Sequence, residues 1–299
     1  MTEILEPYHY YDAQAAAFEG ELRLPLRQEI HPQAFVKLPV EGGYLAQRSC
    51  GFRVESVLSF ASAYTQVAGN RDLKPGHGHS TLVTSVIEDL NVLDVVTADR
   101  VVGQISTEHP LRCSVPSITF LGTRFENLRI AGHKVELDLD LNICGERPDN
   151  DAPYTKSSGF AARVSQQHAR IRDLENGYPN PFAELRERFN LVPERFGASA
   201  GGEEIVECSL VNQAEGSFPG RRFGHVIHIP HFGTIYLAVL RLRHVYSKTN
   251  PRDVDLTAFE LTMIDFQLGC PIDAKLKAAP LVANGTGKTV TPPPPPSSH

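Results

Sequence analysis

A chain of 299 residues, 41% of them hydrophobic, can build one large β domain or two smaller ones around a real core. Its net charge of -6 leaves no broad electropositive footprint and argues against a nucleic-acid partner. No apolar run approaches the ~20 residues that span a bilayer, and the stretch from Met1 to Pro7 has neither the basic nor the apolar region of a signal peptide.

In chain order, residues 1–20 are polar, Tyr-rich and Ala-rich, and read as an N-terminal arm, with a short helical turn or disorder at 13–18. Pro25, Pro32 and Pro39 favour extended segments over 21–40. Residues 52–64 alternate partly and read as strand. A Gly/Pro/Asn loop follows at 69–78. Residues 80–87 and 92–105, rich in Val, Ile, Leu and Thr, read as two strands joined by a polar turn at Glu88 and Asp89.

The clearest strand pattern lies at 135–143. Val135, Leu137, Leu139, Leu141 and Ile143 share one face, and Glu136, Asp138, Asp140 and Asn142 share the other. Residues 117–121 and 125–130 are strand-like, and Ala131, Gly132 and His133 form a turn into the alternating segment. The helical signals come next. Ser157 or Ser158 caps a helix carrying Phe160, Val164, Ile171 and Leu174, which ends at Gly177. Asn180 and Pro181 open a second, shorter helix with Phe182, Leu185 and Phe189.

After a loop at 198–204, strand chemistry returns at 205–212, 225–245 and 258–268. A change of phase at Met263 and Ile264 implies a bulge or burial on both faces. The pattern dies after Ile272, and five consecutive prolines mark a solvated tail. The expected organisation is an arm at 1–20, a β-rich domain over 21–280 with a helical insert at 158–190, and a disordered Pro-rich tail at 281–299. The expected fold is mainly β: an antiparallel sandwich or partly closed barrel with a helical insert.

Two histidine groups are the candidate metal ligands. His77 and His79 form an H-x-H, and on an extended segment both imidazoles face one way. This is how the cupin jelly-roll motif begins, but Val83 and Thr84 stand where that family carries a Glu, and no second motif follows. The competing assignment is two solvated loop histidines. His225, His228 and His231 are spaced by threes, which in a strand alternates faces. His225 and His231 share parity but lie roughly 20 Å apart at strand rise, unless Pro230 and Gly233 bend the chain. Asp94 and Asp99 interrupt an apolar run, and are expected to cap turns or pair with Arg100 or Arg129 rather than do chemistry.

Gly285 to Thr289 imitates the end of a P-loop, but Val282 occupies a required glycine position and the motif is rejected. The 5 cysteines, Cys50, Cys113, Cys144, Cys208 and Cys270, are odd in number and far apart. They read as small core residues in a reducing cytoplasm rather than a disulfide or zinc framework.

The run Ser85-Val86-Ile87-Glu88-Asp89-Leu90-Asn91-Val92-Leu93-Asp94-Val95-Val96-Thr97-Ala98-Asp99, followed by Phe125-Glu126-Asn127-Leu128-Arg129-Ile130-Ala131-Gly132, resembles bacterial β-rich surface domains of the choice-of-anchor type. The resemblance covers about a quarter of the chain. It implies a β-sandwich and carries over no catalytic residue, and neither an export signal nor a C-terminal anchor is visible.

No catalytic constellation is present. The function expected first is therefore a non-enzymatic binding or self-assembly module without cofactor, cytoplasmic, acting as a homo-oligomer or on a protein partner. The alternative is a jelly-roll metal enzyme with a divalent ion on His77 and His79, with His225 or His228 as a third ligand.

Overall fold

The computed structural model describes residues 9–25, 27–71, 78–111, 115–176, 188, 202–248, 254–269 and 272–285. The strands are, in chain order, β1 (Ala13–Ala15), β2 (Phe18–Leu22), β3 (Gln28–Gln33), β4 (Val36–Lys37), β5 (Gly43–Val54), β6 (Leu58–Arg71), β7 (His79–Val92), β8 (Val96–His109), β9 (Ser117–Thr119), β10 (Arg124–Glu126), β11 (Arg129–Ile130), β12 (His133–Lys134) and β13 (Glu136–Leu139). After helix α1 (Ser158–Asn176) come β14 (Glu203–Ser209), β15 (Val211–Glu215), β16 (Arg221–Phe223), β17 (Val226–Ile229), β18 (Gly233–Tyr246), β19 (Val254–Leu268) and β20 (Ala274–Gly285).

Among the described residues these strands form two large antiparallel sheets. The first has 10 strands along the path β16-β17-β18-β19-β20-β1-β4, with β14 added on β18, β2 on β20 and β3 on β2. The second has 8 strands along β12-β11-β8-β7-β6-β5, with β9 and β10 added on β8. Neither path closes on itself, so the fold is sandwich-like rather than a barrel. The sheets meet where β20 crosses β7 and β8. At Gly103 a Cβ would stand 2.6 Å from Leu281 Cδ1 and 2.9 Å from Met263 Cγ, so only glycine allows that approach.

The long strands keep one face dry by β-branched alternation. Val83, Ile87, Val101 and Ile105 of one sheet are fully buried in the same core as Phe259, Leu261, Leu276 and Leu281 of the other. Each such side chain contributes about 1.5–3 kcal/mol of transfer free energy.

That alternation flips once in each sheet. Ala238 and Ala279 adopt left-handed φ of 45° and 48° on either side of Met263, in register across three strands. Before the row, Leu237, Ile264 and Ala278 face the core; beyond it, Leu240, Leu261 and Leu281 do. This is the phase change seen at Met263 and Ile264, and both residues are fully buried. In the second sheet Gly51 (φ 62°) and Asp89 (φ 54°) sit in a matching row with Ala61 and Asp99.

Several expectations fail. Residues 9–20 are not an arm: β1 and β2 pair with β20, and Ala13, Ala17 and Phe18 are fully buried. The small alanines suit a strand that packs face to face on β6 and β7 of the other sheet. Residues 274–285 do not belong to a failing pattern or a tail; they are β20, an inner strand of the larger sheet. The tail from 286 lies outside the described residues, as does the second helix apart from Arg188. The alternating segment at 135–143 is peripheral: only Glu136–Leu139 is strand, paired with β15 in a two-stranded sheet. The first helix matches its signals, with Phe160, Val164 and Ile171 buried. Asp94 caps a turn with Asn91, and Asp99 accepts Asn127 Nδ2 at 2.6 Å, while Arg100 faces Glu88.

Candidate functional site

His79 opens β7, where β7/β8 register sets it opposite His109. The His79 ring stacks on His9 at 4.2 Å with an interplanar angle of 12°, and His9 lies 5.0 Å from His109. Tyr11 closes the group, its hydroxyl 3.0 Å from His79 Nδ1. A side chain at Gly78, whose φ is 84°, would strike the His109 carbonyl, which fixes the entry of the chain. Stacked imidazoles hold their nitrogens in parallel planes instead of converging on one point, as chelation requires. Among the described residues no group of three or more His, Cys, Asp or Glu has metal-holding geometry. His77 lies outside them. His9 and His109 carried no local signal in the sequence; strand register brings His109 to His79, and the segment before β1 brings His9.

His228 belongs to β17 of the other sheet, and His225 stands at the turn that enters that strand. His225 is buried just before β17, and its carbonyl accepts the Leu237 N–H at 3.1 Å. Burial lowers its pKa to about 3, with Arg188 and His168 adding to the drop and Glu207 opposing it. His228 is half-buried beside Thr234, 3.2 Å from Nδ1 to Oγ1, and burial and Arg221 lower its pKa. His231 is an exposed turn residue with φ 63°. The three histidines therefore occupy three separate environments, and only His228 lies within a strand.

Around His225 the face of the larger sheet under α1 holds a charged network. Glu207 binds Arg188 Nε through one oxygen and Arg241 Nε through the other at 2.7 Å. Arg188 also reaches Asp265 at 3.2 Å and lies over the Tyr236 ring at 3.8 Å. Burial pushes the Glu207 carboxyl up, but Arg188 and Arg241 outweigh it and hold it below the usual carboxylate range. His168 of α1 donates to the Glu207 carbonyl at 2.7 Å, and Gln167 bonds both the N–H and the carbonyl of Ser209. A hollow of about 360 Å³ beside the network is lined by Glu19, Asp265, Arg241, Lys275 and Lys277. Cations and carboxylates neutralise one another there, and no activated nucleophile is among them. The network fastens α1 and Arg188 to the sheet.

The smaller sheet presents an open edge. β5 runs 12 residues and, among the described residues, pairs with β6 alone. Most of its side chains are exposed, Tyr44 and Leu45 at 59% and 42%. Its only charges are Arg48 and Arg53, and it has no proline. Phe35 and Val40, also exposed, flank β4, which packs beside β5.

A family model described as Domain of unknown function (DUF8256) matches residues 9–243, a span that stops inside β18 before β19 and β20. No curated protein and no solved structure matches the chain. No helix among the described residues is long and apolar enough to cross a membrane.

Proposed function

The chain belongs to that family of unknown function, and we propose that it is a non-enzymatic self-assembly module in which β5 pairs with β5 of a second copy. The observation that carries this is the open edge. Along its 12 residues, alternate residues turn their N–H and C=O groups away from β6 and form a template for strand addition, and the edge has neither lysine nor proline. Antiparallel pairing centred on Ser49 sets Arg48 opposite Cys50 and Arg53 opposite Leu45, so like charges do not meet directly. Tyr44 on one face of β5 and Leu45 on the other are exposed, and pairing covers part of each. A closed two-fold contact is the commonest way for such a surface to be satisfied. A reducing cytoplasm suits Cys144 and Cys208, which are free thiols buried in the core, and Cys50, a free thiol on the edge itself.

The jelly-roll metal enzyme is the weaker reading, because His79 is stacked and tied to Tyr11, and His225 and His228 lie on the other sheet. Light scattering at micromolar concentration tests the favoured one. The expected mass is a multiple of 32.9 kDa, reduced to the single-chain value in Leu45→Lys/Gln47→Lys, which charges the edge. A single-chain mass for the unmodified protein, or an oligomer untouched by the two lysines, refutes it.

A further inference from the structure

A second feature, independent of edge pairing, lies on the outer face of the smaller sheet. Register sets Ser62 of β6, Glu88 of β7 and Arg100 of β8 in one cross-strand row, and Arg48 of β5, Tyr64 of β6 and Val86 of β7 in the next. Residues directly opposite in a sheet point the same way, as do residues two apart on one strand, so these six side chains share a face. The residues that alternate with them, Ala63, Ile87 and Val101, are the ones in the core. The six surround a hollow of about 180 Å³, floored by the nearly buried Val86. It is too small for a drug-sized ligand, whose pockets run from about 300 Å³, and large enough for one ring.

The polar groups of the hollow are not matched to one another. Among the described residues the exposed Arg48 makes no hydrogen bond or ion pair. Arg100 Nε stands 4.0 Å from Glu88 Oε1, beyond hydrogen-bond reach, and has no other acceptor. Glu88 Oε2 accepts the Ser62 hydroxyl at 2.6 Å, while Oε1 has only Arg100 at that longer distance. Donors without acceptors therefore stand beside an acceptor without a donor. Tyr64 leans along its strand, its hydroxyl donating to Gln66 Oε1 at 2.7 Å. The row beyond continues the polar face with Gln66, Thr84 and Gln104, where Gln104 Nε2 donates to Thr84 Oγ1 at 3.2 Å.

A phosphate in this hollow would meet Glu88 as well as the arginines, and a cation would meet two guanidiniums. A sugar hydroxyl donates and accepts at once, and so suits both open groups. The C–H side of a pyranose packs on an aromatic ring, and a carboxylate on that sugar matches the fork of the one arginine that has no partner. We propose that this outer face binds an acidic oligosaccharide. One uronate ring lies on Tyr64, with its carboxylate on Arg48 and its hydroxyls shared between Glu88 and Arg100, and the next sugar runs on toward Gln66 and Gln104.

Calorimetric titration of the full chain with trigalacturonate, triguluronate, maltotriose and inorganic phosphate tests the assignment. At least one uronate trimer is expected to saturate at submillimolar concentration and to weaken with added salt. Maltotriose, with the same number of rings and no carboxylate, should bind at least about tenfold more weakly, and phosphate should not saturate. Arg48→Ala and Tyr64→Ala should each lose at least about tenfold in affinity, and Arg48→Lys, which keeps the charge but removes the fork, should also weaken binding. Tyr64→Phe keeps the ring and should retain most of the affinity, and Lys275→Ala, on the larger sheet, should change nothing. The Leu45→Lys/Gln47→Lys variant should bind like the unmodified chain, because those residues pair with Val67 and Thr65 on the opposite face; edge pairing and sugar binding are thereby read separately. Absence of saturable binding by both uronate trimers, maltotriose binding as tight as either, or binding indifferent to Arg48→Ala and Tyr64→Ala would each overturn the proposal.

Discussion

His244 on β18 is fully buried, with Nδ1 3.0 Å from Thr257 Oγ1 on β19. Opposite it on β14 stands Glu204, whose Oε2 accepts the hydroxyls of Thr155 at 2.8 Å and Tyr246 at 2.6 Å. Burial lowers the His244 pKa from 6.5 to about 4. The sign follows from linkage. Below pH 6.5 the unfolded chain takes a proton that the folded chain refuses until about pH 4, so stability is lost as pH falls through that window. With those two values the loss between pH 7.5 and pH 4.5 is about 2.5 kcal/mol, since each tenfold difference in proton affinity between the folded and unfolded chains is worth ~1.4 kcal/mol. That is a sizeable part of a typical stability of about 5–15 kcal/mol. The perturbation is His244→Asn, which keeps a hydrogen-bonding group near Thr257 but cannot titrate. Urea denaturation of both proteins at pH 7.5 and 4.5 is the assay. The unmodified protein should lose about 2.5 kcal/mol more than the variant over that interval, a difference of roughly 1 M in midpoint. Equal pH dependence in the two proteins would falsify the assignment of the pH effect to His244 burial. A smaller gap that widens to the expected size in Glu204→Gln would instead mean that Glu204 turns to pair with protonated His244.

Gly103→Val should unfold the protein or cost about 1–3 kcal/mol, read as a fall in thermal midpoint, because its side chain meets Leu281 and Met263 of the other sheet. Glu207→Gln leaves Arg188 and Arg241 facing a neutral group, and a loss of about 3–5 kcal/mol is expected; an unchanged urea midpoint would show that the network is not structural. Protein purified without a tag should contain negligible metal. A stoichiometric transition metal that is lost in His79→Ala would show that the imidazoles rearrange to chelate.

The fold class was legible because β-branched runs and the helix signals are local. Phe160, Val164 and Ile171 announce α1, and Ala131 and Gly132, with φ of 49° and 80°, make the tight turn that their types suggest. The rank of the elements was not legible. The strict alternation at 135–143 marks a strand wet on one side, and such a strand lies at the rim. β20 reads Ala274-Lys275-Leu276-Lys277-Ala278-Ala279-Pro280-Leu281, small and interrupted, yet it runs between β19 on one side and β1 and β2 on the other. Its importance comes from neighbours distant in sequence, and periodicity does not encode them. The Arg188 network was hidden for the same reason: the partners of Arg188 and Glu207 come from β14, β18 and β19.

The two phase-flip rows explain both the hidden strands and the surfaces they create. On β18, the edge facing away from β19 pairs first with β17, up to Tyr236, and then with β14, from Val239. Ala238 lies at the changeover, and its carbonyl takes the Leu210 N–H at 3.0 Å. On β20, β2 ends at Ala278 and β1 begins at Leu281; Ala279 lies between, its N–H given to the Ala17 carbonyl at 2.7 Å. On β8, Asp99 falls between the residues paired with β11 and those paired with β10. A left-handed residue costs about 1–2 kcal/mol in a non-glycine position, and in the larger sheet both such residues, Ala238 and Ala279, stand at a changeover, whereas on β8 the changeover residue Asp99 lies opposite the left-handed Asp89. Two short neighbours cannot continue along a twisting strand of 14 residues without a step, and the step turns the side chains over. The turn is what lets one strand serve two cores. Tyr236 and Val239 pack with Ile171 of α1, while Leu237 and Leu240, one position away on opposite sides of the step, fill the sandwich. Without the step at Ala238, Tyr236 and Leu240 would share a face. The α1 side would then lose either the ring that Arg188 covers or the valine that seats Ile171.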